Sequence, residues 1–301
     1  MRLDPVVDGV VSAYLQAVDA EAPGLLEGLY LTGSVALGEF RPHCSDIDFV
    51  AVTARRPDAS ALAALGRANG RLRRLRPRPY FDGLYVTWDE FAHDPAAAGG
   101  AAYSYKGTFR ARGGGPADPV AWYTVAHHGV QCRGPHPSSL DIRVDADGLA
   151  RWTLNNLDTY WRTLLDQSSR FSHPQSLIAV TSWGAAWIVL GVSRLHCTLA
   201  TGEIVSKEAA GCYALEIFPA QWHRVLHEGL RIRRSDRARA DVVSALSEIV
   251  ADAGIGGRRV GDRSLYRSPL ERRRDAVAFG HAVISDASSR HGRPAVSPSQ
   301  L

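Results

Sequence analysis

The stretch LTGSVALGEFRPHCSDIDFV, residues 31–50, joins a glycine-serine turn to the start of an apolar strand. Gly33 and Ser34 directly follow a short apolar segment, Gly28–Leu31, which we expect to form an earlier strand. Backbone amides at such a turn can approach a phosphate closely because glycine has no side chain, and the Ser34 hydroxyl adds a donor. A Gly-Ser pair is a weak signal by itself, so its interpretation depends on the residues that come after it.

Asp46 and Asp48 are the second signal, two residues apart at the start of the predicted strand Ile47–Val52. Alternation along a strand directs both carboxylates to one face and Ile47 to the other. Neighbouring carboxylates repel unless a divalent cation or a shared proton neutralises them, and Mg²⁺ binds one or two carboxylates together with substrate phosphates. An Asp-x-Asp triplet can also simply cap a turn. Because a Gly-Ser turn precedes this triplet, the sequence favours a Mg²⁺ site at Asp46 and Asp48.

The composition is that of an ordinary globular chain with enough residues for two domains. Of its 301 residues, 45% are hydrophobic and 22% are charged, which excludes intrinsic disorder and a whole-chain coiled coil. Single hydrophobic cores rarely extend over so many residues. The net charge is +4, but only Lys106 and Lys207 of the 35 basic residues are lysines. This arginine excess, with abundant alanine, indicates GC-rich coding rather than a nucleic-acid partner.

Neither membrane insertion nor export is predicted. Even the apolar window Trp183–Leu195 is shorter than the roughly 18 residues of a membrane span, and no apolar signal core follows the first residues. The four cysteines, at positions 44, 132, 197 and 212, have no paired spacing, so neither a zinc site nor a disulfide framework is expected. The sequence therefore favours a cytoplasmic protein.

Strands and helices are both predicted in the first half of the chain, whereas the second half is predicted to be helical. A third strand is expected at Leu84–Trp88, and the Gly-, Ala- and Pro-rich stretch 92–119 is expected to be irregular. A short strand should end near Cys132. The predicted helices begin at Pro5, at Ser60 and at Pro119, and amphipathic stretches then follow at 149–165, 177–200, 206–217 and 237–251. The predicted domains are 1–142 and 143–290, with a disordered tail at 291–301.

The spacing from Gly33-Ser34 to Ser45-Asp46-Ile47-Asp48 resembles the signature of the nucleotidyltransferase superfamily. Within it, the chain is most similar to the aminoglycoside (streptomycin/spectinomycin) adenylyltransferases, because VSRL at 192–195 and ATGEIVSKEAA at 200–210 resemble a second motif of that family. The resemblance covers roughly residues 25–235. It implies an α+β fold, in which a mixed sheet with flanking helices is followed by an all-α bundle.

The resemblance also implies an activity, which is Mg²⁺-dependent transfer of AMP from ATP to a hydroxyl group of an aminoglycoside or aminocyclitol. The expected partner is this small-molecule acceptor, with no membrane or nucleic acid, and the chain is expected to be a monomer. Gly33, Ser34 and Ser45 would hold the nucleotide, and Arg194 and Lys207 would reach the triphosphate. From the residues alone, Lys207 after a predicted cap at Ser206 also fits a solvated helix start.

One position departs from the family pattern. Family members carry a third carboxylate on the third strand, as a base or a metal ligand, and the position that aligns with it is Tyr85. Tyrosine is a poor base near neutral pH. Asp82 can replace it if residues 81–83 form a turn that directs it inward, and Glu203 or Glu208 is the other option. The departure leaves open a nucleotide-binding pseudo-enzyme, or a repurposed transferase with a different acceptor, and the basic charge leaves open a protein or RNA acceptor.

Overall fold

A computed structural model describes residues 3–113, 118–170, 173–235 and 264–291. The chain divides into two compact units between Ala146 and Asp147, whereas the sequence predicts the boundary after residue 142. Apart from His291, the tail predicted at 291–301 lies outside the described residues. Each unit contains hydrophobic core residues of its own.

The N-terminal unit is built on a six-stranded sheet with the strand order β5-β4-β3-β2-β1-β6. The only parallel pair in this sheet is β2 with β3, and all the other neighbours are antiparallel. The mixed sheet that the family resemblance implies is therefore confirmed. The strands are β1 (Gly28–Leu31), β2 (Ile47–Thr53), β3 (Phe81–Thr87), β4 (Ala102–Tyr105), β5 (Thr108–Arg110) and β6 (Val130–Arg133).

Helices cover both faces of this sheet. Successive residues of its strands therefore point into two different hydrophobic cores. Phe49 packs in one core with Tyr14 and Leu65, whereas Val50 packs in the other with Trp122. Three of the helices start where an aspartate accepts a hydrogen bond from a backbone amide of the first turn. The helices of this unit are α1 (Pro5–Glu21), α2 (Gly33–Ala36), α3 (Ala59–Leu75), α4 (Trp88–Ala92) and α5 (Pro119–His128).

The stretch 92–119 is less irregular than the sequence predicts. It contains a short 3₁₀ helix and the hairpin of β4 and β5. The third strand begins earlier than predicted, since Phe81 already pairs with Ile47 of β2. It also ends one residue earlier, because Thr87 caps α4: its hydroxyl accepts from the Glu90 amide, and the Glu90 carboxylate accepts from the Thr87 amide.

The described part of the C-terminal unit is mostly helical, as predicted. Its central helix is α9, whose residues from Ile188 to Ser193 are buried, and it packs against four other helices. The predicted stretch 177–200 is broken at Thr181, which caps α9, and the stretch 237–251 lies outside the described residues. The helices are α6 (Ala146–Asn156), α7 (Arg162–Ser169), α8 (Pro174–Val180), α9 (Ser182–Thr201), α10 (Lys207–Ile217), α11 (His223–Arg234) and α12 (Pro269–His291), with a π-helical turn at Leu157–Trp161.

Within the described residues, no single helix combines the length and hydropathy needed to cross a membrane. The pair α8 and α9, bent by 91°, meets these criteria only when the two helices are counted together.

Candidate active site

The Gly33 turn and the Asp48 carboxylate lie in direct contact. Gly33 is the first residue of α2 and has a φ of +55°, which favours glycine, and a carbon added at its Cβ position would lie 2.0 Å from Asp48 Oδ2. The Thr32 amide donates to the Asp48 carbonyl oxygen at 2.8 Å and so holds the turn beside β2. The structure therefore brings together the two sequence signals, and it leaves no room for a side chain at Gly33.

Hydrogen bonds order the loop that links the Gly33 turn to β2. The Ser34 carbonyl oxygen accepts from the Glu39 amide at 2.8 Å. At the other end, Ser45 Oγ accepts from the Arg41 amide at 3.1 Å, and the Ser45 amide donates to the Arg41 carbonyl oxygen at 2.8 Å. Asp46 comes immediately after Ser45, one residue before β2 begins.

Asp82 lies beside Asp48 in the sheet. The two residues are register partners in the parallel pair of β2 and β3, and register partners in a sheet direct their side chains to the same face. The turn at 81–83, given as the condition for directing Asp82 inward, does not form, because these residues already belong to β3. Gly83 permits this close pairing, since a carbon at its Cβ position would lie 1.9 Å from the Phe49 carbonyl oxygen.

Both oxygens of Asp82 accept hydrogen bonds from the turn between β4 and β5. Oδ2 accepts from the Lys106 amide at 2.7 Å, and Oδ1 accepts from the Gly107 amide at 2.8 Å. Donation of two N–H groups to a carboxylate stabilises its negative charge. Sequence reasoning missed this turn, because Lys-Gly is not among the usual hairpin signals; the alternation around Tyr103 and Tyr105 was the available cue.

Tyr85 belongs to the hydrophobic core, and the alignment that gave it the position of the third carboxylate is wrong. Residues 82 and 85 differ by an odd number, so they face opposite sides of β3. Tyr85 is 2% exposed, and its hydroxyl lies 2.6 Å from that of Tyr14 and accepts from Asn69 Nδ2 at 2.8 Å. Burial raises the pKa of Tyr85 to about 12, against the lowering effect of these hydrogen bonds. It is therefore a neutral core phenol.

Arg194 and Lys207 belong to the C-terminal unit, on either side of the connection between α9 and α10. Arg194 Nε donates to the Val205 carbonyl oxygen at 3.1 Å. Ser206 caps α10 by accepting from the Ala209 amide at 3.0 Å, so Lys207 is the first residue of that helix, as the sequence predicts. The Arg194 hydrogen bond ties its side chain to the segment that leads into Lys207.

The two glutamates considered as substitutes for the third carboxylate lie around the same connection. Glu208 forms an ion pair with Arg234 at 2.6 Å. Glu203 is exposed, and its carbonyl oxygen accepts from Thr198 Oγ1 at 2.9 Å. Neither contact reproduces the pairing of Asp82 with Asp48.

The carboxylates of this site suit a metal ion whose coordination shell is completed by the substrate. No group of three or more His, Cys, Asp or Glu side chains in the described ranges could hold a metal ion alone. Mg²⁺ does not require one, since it is commonly bound by one or two carboxylates with phosphate and water oxygens. Asp48 supplies such hard oxygens next to the Gly33 turn, and Asp46 precedes it by two residues, so the residues present fit Mg²⁺ bound with a nucleotide.

Two family models match the sequence. Residues 11–81 match a nucleotidyltransferase domain, and residues 169–253, some of them outside the described residues, match the C-terminal domain of aminoglycoside adenylyltransferases. Among solved structures, a spectinomycin adenyltransferase from Enterococcus faecialis, crystallised with ATP and spectinomycin, aligns with a TM-score of 0.56 and 13% identity. The alignment covers 92% of this chain and 99% of that one. This similarity shows a shared fold. No curated protein matches significantly.

Proposed function

Because the chain is an aminoglycoside adenylyltransferase-like nucleotidyltransferase, we propose that it transfers AMP from ATP to a hydroxyl group of an aminocyclitol or aminoglycoside. The observation that carries this proposal is the contact of Asp48 with the Gly33 turn on one side and its pairing with Asp82 on the other. A carboxylate pair beside a phosphate-binding turn is what metal-assisted phosphoryl transfer requires. The reaction takes place in the cytoplasm, where ATP is available.

The chain's residues have distinct tasks in this reaction. The acceptor hydroxyl oxygen forms a bond to the α-phosphorus of ATP, the bond from that phosphorus to the bridging oxygen of the β-phosphate breaks, and pyrophosphate leaves. Asp82 takes the hydroxyl proton, since two backbone amides hold its carboxylate and it is the register partner of Asp48. Asp46 and Asp48 hold Mg²⁺, which when bound polarises the phosphate oxygens. Gly33 and Ser34 donate backbone amides to phosphate.

The two cations of the C-terminal unit bind the outer phosphates of ATP. The hydrogen bond of Arg194 to Val205 and the capped start of α10 at Lys207 support this role, because they tie the Arg194 side chain on α9 to the segment that leads into Lys207. Their positive charges would stabilise the negative charge that develops on the pyrophosphate leaving group.

The pseudo-enzyme hypothesis loses its motivation in this structure. It depended on Tyr85 occupying the position of the third carboxylate, but Tyr85 is a core residue and Asp82 lies beside Asp48. The pairing of Asp82 with Asp48 supports Asp82 as the third carboxylate of the proposed site.

A pyrophosphate-release screen tests the proposed function. ATP, GTP, CTP and UTP are each offered with spectinomycin, streptomycin and other aminocyclitols and aminoglycosides. We expect release only with ATP and Mg²⁺ and only in the presence of one of these acceptors, with an adenylylated acceptor detected by mass spectrometry. Absence of transfer from any nucleotide to any of these acceptors would contradict the proposal.

Substitution of the metal-binding carboxylates ties the activity to this site. Asp46→Asn and Asp48→Asn should each lower turnover by roughly 10²-fold or more, because the lost carboxylate charge would bind the Mg²⁺ that stabilises the anionic transition state. Both variants should fold, since removing one of two neighbouring charges relieves repulsion. Asp89→Asn is a matched control, because this carboxylate is 86% exposed. Unchanged turnover in Asp48→Asn would rule out the assigned site.

A further inference from the structure

The two-residue turn between β4 and β5 has an unusual residue at its first position. Lys106 has a φ of +50° and Gly107 a φ of +64°, and positive φ at both central residues of a two-residue hairpin loop defines a type I′ turn. Asn-Gly is the preferred sequence there. Among the described residues, Lys106 is the only non-glycine residue with positive φ. Such an outlier persists only where surrounding contacts hold it.

Contacts with the rest of the N-terminal unit hold the hairpin in place. Arg73 on α3 donates through Nη1 to Thr108 Oγ1 at 2.8 Å, and the Phe109 ring packs edge-on against Tyr85 with ring centroids 5.6 Å apart. The turn is therefore anchored to a helix and to the core behind the sheet.

The consecutive amides of the turn both donate to one side chain, Asp82, and each donates to a different oxygen. A single donor would leave the carboxylate free to rotate about its terminal bond, whereas two donors fix its plane. Catalytic groups must be held within a fraction of an ångström, since a displacement of about 1 Å can cost 10²-fold in rate.

We propose that the turn at Lys106 and Gly107 is a positioning element that fixes the orientation of the Asp82 carboxylate beside Asp48. The proposal rests on the proposed function, in which Asp82 is the third carboxylate of the active site. The backbone amide of Lys106 orients the Asp82 carboxylate, and the ammonium group of Lys106 has no part in it. The left-handed conformation of Lys106 is unfavourable for a residue with a side chain, but it directs the Lys106 amide at Asp82.

Three variants separate the turn from the lysine side chain. Lys106→Val places a β-branched residue in the left-handed region and so disfavours the turn, whereas Lys106→Asn removes the ammonium group but suits the turn. Gly100→Val is the control, because Gly100 has a φ of +75° and no atom within 4 Å of an added Cβ. It imposes the same backbone strain without a contact to Asp82.

Two readouts are measured on the purified full chain. One is the turnover with ATP and the acceptor found by the pyrophosphate screen, and the other is the affinity for Mn²⁺, measured by electron paramagnetic resonance with α,β-methylene-ATP present. Lys106→Val should lower kcat by about tenfold with little change in the KM for ATP, because Asp82 is the proposed base. It should also weaken Mn²⁺ binding by about tenfold, because Asp82 is the register partner of the proposed metal ligand Asp48, and loss of a group that positions a metal ligand typically lowers metal affinity by tenfold or more. Lys106→Asn should recover most of both, and Gly100→Val should match the wild type.

The outcomes that overturn the proposal are distinct. Equal losses in Lys106→Val and Lys106→Asn would assign the effect to the ammonium group, and wild-type values in Lys106→Val would remove the effect altogether. In an Asp82→Asn background, Lys106→Val should weaken Mn²⁺ binding no further, and an additive loss would show that the turn acts on another group. If the proposed function itself fails, the wild type transfers no nucleotide, yet the Mn²⁺ affinities still decide whether the turn positions Asp82.

Discussion

Gly33 is constrained by its backbone conformation and by a neighbouring side chain. Gly33→Ala would impose left-handed strain and also place a methyl group 2.0 Å from Asp48 Oδ2, so the carboxylate must move. Gly38 has a φ of +69° with no atom within 4 Å of an added Cβ, so Gly38→Ala brings the strain alone, which is about 1 kcal/mol. We expect Gly33→Ala to lower turnover by roughly 10²-fold and Gly38→Ala to affect mainly the free energy of unfolding. Steady-state kinetics and chemical denaturation of both variants measure this difference, and equal turnover would contradict it.

The hydroxyl of Tyr85 serves the stability of the core. Tyr85→Phe leaves the buried Tyr14 hydroxyl without this partner, which should lower the free energy of unfolding by about 1–3 kcal/mol. Because replacing both partners leaves no orphaned hydroxyl at this contact, Tyr14→Phe combined with Tyr85→Phe should cost less than the sum of the single changes. Turnover should stay at the wild-type level. A loss of turnover in Tyr85→Phe without a loss of stability would return Tyr85 to the active site.

At the scale of the elements, local sequence patterns predicted the strands and helix caps that depend on neighbouring residues. They missed the features that depend on which strands pair and in which register. The segment Gly28–Leu31 forms β1 as predicted, and capped helices begin at Pro5 and Pro119. The position of Asp82 could not be derived, because register depends on which residue of β2 lies opposite, and Gly83 permits that approach only in the context of Phe49.

The same distinction between local and distant signals applies to the three proposed active-site carboxylates. Strand periodicity within six residues of sequence predicts that the Asp46 and Asp48 carboxylates share one face. The amides that hold Asp82, in contrast, come from a hairpin 24 residues later along the chain. A two-residue Lys-Gly loop carries little sequence signal, since the contact that justifies its left-handed lysine is made with a distant strand. The family resemblance gave the correct fold but assigned the third carboxylate by linear alignment.

The connection between α9 and α10 should distinguish nucleotides by their outer phosphates. Arg194→Ala and Lys207→Ala should weaken the binding of ATP much more than that of AMP, because the charges that they are proposed to bind are on the β- and γ-phosphates. Arg162→Ala is a matched control in the same unit, since this arginine forms an exposed ion pair with Asp158 at the surface. Isothermal titration calorimetry with both nucleotides tests this, and equal losses for ATP and AMP would assign both residues another role.

At the scale of the whole molecule, acid should destabilise the C-terminal unit through a buried glutamate. Glu228 is 1% exposed and accepts hydrogen bonds from the Arg231 guanidinium, from Ser264 Oγ at 2.7 Å and from the Leu265 amide at 3.0 Å. Burial by itself would raise the pKa of Glu228, but these donors outweigh it and lower the pKa from its ordinary value of 4.5 to about 2. The folded unit is therefore stabilised by the ionised form of this residue.

This shift predicts how the stability of the C-terminal unit depends on pH. Because the pKa of Glu228 is lower in the folded state, its contribution is complete above pH 4.5 and is lost as the pH falls towards about 2, which amounts to at most about 3 kcal/mol. Denaturation at pH 7, 5, 4 and 3, followed by hydrogen exchange in each unit, should show the C-terminal unit losing stability over this window. Glu228→Gln should be less stable at pH 7, because the neutral amide removes the ion pair with Arg231. It should also have a flatter pH profile. A wild-type profile in Glu228→Gln would mean that the acid sensitivity comes from other carboxylates, of which Asp286, whose pKa is also lowered by its hydrogen bonds to His196 and Arg290 despite burial, is the next to substitute.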